Sequence, residues 1–299
     1  MRSISLSLIS LLLLTPLAHA ACDLCLYGPD NMTFDKAGNI YLVDTDHKSH
    51  SRVLKLSPNG TVLAEWQVFT AVPGHYNGPN GIAIDDGGSI LVIDGGLNQV
   101  LKLSPTGKVM AKYGDFAAGA FDEGGHVAVG KDGVIYIVAA GPNLIQLYSP
   151  QGEPIESWHR DKGPGPNQWI QPETISIGDD GNLVIDDWGN HRILVLSPAG
   201  RTIHAFDGVP NEPLKVASIS GAVVGPDGNI YVADYQLLRV QEFDPQGHLL
   251  ATIGNSPGNT LFEVAPNSIA VDRSGNIYTT DGLSVVKFSR EGKLLARWK

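Results

Sequence analysis

Ser57-Pro58-Asn59-Gly60, Ser104-Pro105-Thr106-Gly107, Ser149-Pro150-Gln151-Gly152, Ser197-Pro198-Ala199-Gly200 and Asp244-Pro245-Gln246-Gly247 are one tetrapeptide written five times, with a looser sixth copy at Ser289-Arg290-Glu291-Gly292. A small polar residue first, proline second and glycine fourth suits a type I turn: proline presets the backbone angle and glycine tolerates the exit. The copies recur about every 47 residues, each after an apolar segment. A fixed period of that length, with several strands per unit, marks a repeat whose units cannot bury their own faces and must stack on one another. The expected fold is all-β, a six-bladed β-propeller with four antiparallel strands per blade, covering residues 21–299 as one domain.

Each unit opens on a modest alternating run, as at residues 32–35 and 82–85. A turn rich in Asp and Gly follows, ending at Gly38, Gly88, Gly133, Gly181, Gly228 or Gly275. Then comes the most apolar strand, as in Ile40-Tyr41-Leu42-Val43 and Ile230-Tyr231-Val232-Ala233. Near-continuous β-branched and aromatic character means that both faces are covered, as blade-on-blade stacking requires. The last strand of each unit ends on a large residue: Trp66, Tyr113, Trp158, Phe206, Ile253 or Trp298. A feature repeated in every unit is scaffold before it is site. The phase is the same at both ends of the repeat array, so no strand has to be shared. The first and sixth blades are expected to meet by side-chain packing, with residues 21–28 sealing the seam.

The formal net charge of −10 opposes general binding to nucleic acid or to anionic membrane. Residues 1–20 carry Arg2, an apolar run and Ala18-His19-Ala20, which reads as a cleaved secretory signal and predicts a secreted or periplasmic protein. No other apolar run approaches ~18 residues, so no membrane span is expected, and the chain is expected to act as a monomer. The only cysteines, Cys22 and Cys25, precede the first repeat. A mutual disulfide or inert thiols are expected; lipidation of Cys22 is disfavoured by His19, where such signals want an aliphatic residue. Asn31-Met32-Thr33 and Asn59-Gly60-Thr61 fit the glycosylation sequon.

Asp187-Trp188-Gly189-Asn190-His191-Arg192-Ile193, preceded by Gly181-Asn182-Leu183-Val184-Ile185 and followed by Ser197-Pro198-Ala199-Gly200, resembles the NHL repeat. Individual copies depart from it: the third and sixth lack the arginine, and Arg239 lacks the upstream Asn. The resemblance implies a six-bladed propeller of a family used mostly as binding platforms, with a minority of enzymes.

Aligning the units on their first strands places Asp30, Asn80, Gly125, Glu173, Ser220 and Asn267 in one ring at a mouth of the central channel. Two carboxylates on opposite blades with two amides between them suit a hard cation such as Ca²⁺. The candidate metal set is therefore Asp30, Asn80, Glu173 and Asn267, with His126, one position further on, as candidate acid or base. In residue kind this set is similar to that of gluconolactonase-like propellers. The ring holds no histidine at the position after proline, where the amidating lyases of this fold are expected to bind zinc. Asp44, Asp94, Asp187, Asp234 and Asp281 end the second strand in five units, and their repetition makes them loop caps rather than catalysts. Asp44, Asp46, His47 and His50 crowd one loop, read as solvated charge.

Tyr76, Trp169, Trp188 and Tyr235 fall on connecting loops of the same face, where aromatic residues beside polar groups favour recognition of a protein, peptide or glycan. No phosphate-cradling loop, GxSxG elbow or HExxH accompanies them. The first functional expectation is thus an extracytoplasmic binding scaffold acting through its loop-bearing face. The alternative is a Ca-type lactonase or hydrolase at the channel mouth.

Overall fold

The computed structural model describes residues 24–46, 50–67, 69, 79–114, 116, 120–121, 125–206, 218–254 and 265–299. They form six sheets of four strands, each built from consecutive antiparallel strands. Blade one, for example, comprises Pro29–Phe34, Ile40–Thr45, Ser51–Leu56 and Val62–Trp66 from axis to rim, and blade four comprises Pro172–Ile177, Leu183–Asp187, Arg192–Leu196 and Thr202–Phe206. Helical structure among the described residues is limited to one 3₁₀ turn, Trp188–Asn190.

Local chemistry accounts for the repeated turns. Asp35 accepts the backbone N–H of Ala37 and of Asn39 through Oδ1, closing the tight turn between the inner and second strands. In the third-to-outer turn, Gly60 donates its N–H to the carbonyl of Ser57 at 2.9 Å and sits at φ +83°, a region in which a side chain is strained. The same glycine meets a tertiary demand. A Cβ on Gly107, Gly152, Gly200 or Gly247 would run into Trp66, Tyr113, Trp158 or Phe206 of the preceding blade. The large residue ending each outer strand therefore packs on the next blade's turn, as the repetition of both features predicts.

The interior is six apolar clusters, each spanning two neighbouring blades, as with Tyr41, Val43 and Val53 against Ile82, Ile90 and Val92. The second strands of the first five blades are buried throughout, because both of their faces are covered. Closure follows the phase argument. No strand is shared, Leu42 and Leu54 of blade one pack with Tyr278 and Val285 of blade six, and Trp298 joins them. Leu24 N–H donates to the Lys299 carbonyl at 2.6 Å, so the segment before the first blade does seal the seam. Arg52 holds that segment, donating to the carbonyls of Leu24 and Cys25. Cys25 is disulfide-bonded; Cys22, the chain's other cysteine, lies outside the described residues, as do 1–20, Tyr76 and His47.

Candidate functional site at the channel mouth

Inner strands begin at one face of the ring, here called the upper face. Four of the six carry a register irregularity at their start: between Pro29 and Met32, Pro79 and Ile82, Pro172 and Ile175, and Ile219 and Gly221. The bulge places one extra residue there and re-aims its neighbours. Asp30 and Glu173 each sit in such a bulge, so opposite blades deliver two carboxyls to the same mouth. The proline that opens each of these two strands has no N–H to lose from the ladder.

Burial lifts the Asp30 carboxyl to about 7. Glu173 is lifted to about 7 as well, by burial first and then by the negative charge of Asp30. Both keep partial exposure. A third carboxyl, Asp186, completes the cluster. It is 0% exposed, and neither of its oxygens has a hydrogen-bond partner. Burial, and then the charges of Glu173 and Asp187, hold it well above the usual carboxylate range. The sequence did carry a signal for it. The corresponding second-strand position holds Val43, Ile93, Val138, Ala233 and Thr280 in the other blades, so a carboxylate there interrupts an apolar strand.

His126 lies just inside the mouth on the inner strand of blade three, opposite Val138. Its close approach to blade two is permitted by Gly81, where a Cβ would stand 2.7 Å from the His126 Cα. The ring finds a partner the sequence did not indicate: Nε2 lies 3.1 Å from Asn31 Oδ1, which also accepts the Met32 N–H. A carbonyl oxygen only accepts, so Nε2 carries the hydrogen and Nδ1 is a lone pair, buried and without a partner. Desolvation pulls the ring down to about 4, opposed by the backbone of Ile175. A neutral ring with so low a pKa is a weak base; it suits accepting a hydrogen bond better than abstracting a proton. Asn31, held here inside the channel, is also badly placed to carry a glycan, whereas Asn59 is exposed. Below His126 the channel is a cavity of about 220 Å³ walled mainly by apolar residues such as Val127, Ile175, Val223 and Ile269.

The remaining expected residues are placed differently. Asn80 is buried, donates Nδ2 to the Phe121 carbonyl at 3.2 Å and keeps Oδ1 unpartnered. Asn267 is exposed and donates its backbone N–H to the Thr280 carbonyl. Among the described residues no group of three or more His, Cys, Asp or Glu side chains is arranged to hold a metal ion. Trp169 is not a surface aromatic. It is 0% exposed, its indole N–H donates to the Asn143 carbonyl at 3.1 Å, and the Arg160 guanidinium lies 4.3 Å over its ring. It anchors the Gly- and Pro-rich loop, whose backbone carbonyls at Pro164, Gly165 and Gln168 converge on Arg192. Trp188 and Tyr235 are exposed on the upper face, joined there by Tyr27, Leu97 and Leu283, the last 68% exposed. The capping aspartates do cap: Asp187 Oδ1 accepts the Ile170 N–H, Asp234 Oδ1 that of Leu237 and Asp281 Oδ1 that of Ser284.

No family model matches the chain, and no curated protein does. Solved structures do. A streptogramin B lyase is 18% identical, with 91% of this chain and 83% of that chain covered at a TM-score of 0.65. A catalytically inactive variant of virginiamycin B lyase from Staphylococcus aureus, solved with quinupristin, is 14% identical, with 91% and 84% covered at 0.64. The WD40 β-propeller domain of Doa1 is 12% identical, with 87% and 77% covered at 0.60. At these identities the likeness is one of fold, which hosts lyases and WD40 domains alike. The chain is an all-β, six-bladed propeller of four antiparallel strands per blade.

Proposed function

We propose that this chain is an extracytoplasmic, monomeric binding propeller of NHL type whose upper face receives a protein or peptide segment, with a basic side chain of the partner entering the channel mouth. The observation that carries the reading is the arrangement of that face. Two carboxyls with raised pKa values, Asp30 and Glu173, stand at the mouth with a third, Asp186, buried within range of the Glu173 charge, and the exposed side chains of Tyr27, Leu97, Trp188, Tyr235 and Leu283 stand on the loops around it. An apolar rim around a desolvated acidic centre complements a cation carried on an apolar scaffold. A neutral glycan would gain hydrogen bonds from the carboxyls but not the charge attraction that a cation gains. The leader-like residues 1–20 support the extracytoplasmic placement. The weak basicity of His126 supports binding over proton abstraction.

The reading is tested by fluorescence anisotropy with a labelled peptide alternating Trp and Lys, against the same peptide with Glu for Lys. Saturable binding of the basic peptide, weakened at least tenfold by Glu173→Gln, is expected. Equal binding of both peptides would overturn it.

A second reading, a Ca-type lactonase or hydrolase at the same mouth, draws on Asp186, since a carboxylate with both oxygens unpartnered is a ready ligand for a hard cation. A thermal melt raised by millimolar Ca²⁺ and insensitive to Ca²⁺ in Asp186→Asn would favour it.

A further inference from the structure

One register position of the second strand faces the next blade throughout the ring. It holds Tyr41, Leu91, Tyr136, Tyr231 and Tyr278, but Val184 in blade four. Its third-strand partner is Val195, where Lys55, Lys102 and Lys287 stand elsewhere. The outer-strand partner is His204, where Ala64, Ala111, Ala251 and Ala296 stand elsewhere. Blade four thus lacks a ring at a place where four sister blades have one.

The sister blades also show what the missing ring would do. Tyr231 donates its hydroxyl to Asp227 Oδ2 at 3.1 Å, Tyr278 to Asp272 Oδ2 at 3.2 Å and Tyr41 to Asp35 Oδ2 at 3.4 Å. In blade five the same Asp227 also accepts the Asn229 N–H and side-chain amide. Blade four keeps this acceptor in the same setting: Asp180 accepts the Asn182 N–H at 2.9 Å through Oδ1 and its side-chain amide at 2.6 Å through Oδ2. The acceptor of blade five thus has its counterpart in blade four without the phenol, whereas Asp35 and Asp272 stand two positions earlier, where blade four has Gly178.

In its place a cleft of about 350 Å³ opens between blades four and five, walled by Val184, Val195, Val224 and Ile230, with Asp180 and His204 on its border. An apolar cavity of about 150 Å³ already suffices for benzene. The Nε2 of His204 is buried and has no hydrogen-bond partner.

We propose that the cleft between blades four and five binds a small phenolic ligand. Its ring lies on Val184 and Val195 in the place the sister blades give to tyrosine, and its hydroxyl donates to Asp180. His204 Nε2 is open to a further polar group on the ring. The site is on the opposite face of the ring from the carboxyl mouth and is independent of what that mouth binds.

The test is ligand-observed NMR and calorimetry on the full chain with p-cresol, the tyrosine side-chain analogue, and with toluene as the probe without a hydroxyl. Saturable p-cresol binding, at least tenfold tighter than that of toluene, is expected. Val184→Tyr should abolish it and raise the melting temperature by filling the cleft from within. Absence of p-cresol binding up to its solubility limit, or unchanged binding to folded Val184→Tyr, overturns the proposal. Should Val184→Tyr not fold, Asp180→Ala carries the test: the preference for p-cresol over toluene disappears if the hydroxyl meets Asp180, and a preserved preference overturns the assignment.

Discussion

The side chain of Trp298 in the sixth blade lies against Gly60 in the first blade's hairpin turn, so closely that a Cβ on that glycine would overlap the indole. The contact repeats, across the closure point, the one between Trp66 and Gly107 inside the ring. The seam is therefore built like any other blade junction, with the pairing of Leu24 and Lys299 added.

Trp298→Ala should cost about 2–3 kcal/mol in a urea unfolding curve, at or below the range for aromatic truncation because the indole is only half-buried. Gly60→Val should cost at least as much, since it adds a clash to a strained φ. A loss below about 0.5 kcal/mol for both would mean that the seam does not depend on this junction.

Arg192 and Asp187 form a 2.7 Å ion pair whose carboxylate is fully buried, and the same guanidinium gathers three loop carbonyls. Arg192→Met leaves that charge without its partner and should destabilise by about 3–5 kcal/mol. Limited proteolysis should then cut between residues 161 and 168. An intact loop in the variant would show that Trp169 alone suffices to hold it.

The scaffold could be read from residues that recur. The glycine-ended turns, the buried second strands and the large residue ending each outer strand are constraints that every blade must satisfy, so they were written six times, and the turn proline five. The site lies where one blade breaks the pattern. Asp186 was hidden because it abuts the capping Asp187 and looks like part of that cap. Trp169 was misread for the opposite reason: it lies in a Gly- and Pro-rich loop, which reads as surface, while tertiary contacts from Asn143 and Arg160 draw it into the core. Aligning the repeats places Asp30 and Glu173 at one mouth, but the bulges in which they sit are a matter of pairing register, which composition does not encode.

Burial holds Asp30 and Glu173 at about 7, against 3.8 and 4.5 for the free side chains. Between those limits the folded chain binds more protons than the unfolded one. The stability these groups contribute is therefore full below about pH 4, falls as pH rises and is lost above about pH 7. Glu173→Gln, a permanent mimic of the protonated form, should raise the melting temperature at pH 8 by about 2–4 °C and change it little at pH 5. A gain of equal size at both pH values would assign the effect to packing.

The same carboxyls give the binding reading its sharpest test, because a cation entering the mouth must find them ionised. Calorimetric titration of the Trp–Lys peptide at pH 6 and pH 8, in buffers of different ionisation enthalpy, measures affinity and proton release together. Affinity at least tenfold higher at pH 8, with protons released on binding and both effects lost in the Asp30→Asn, Glu173→Gln double variant, is the expected result. Binding that is indifferent to pH, or that survives unchanged in the double variant, would contradict the account.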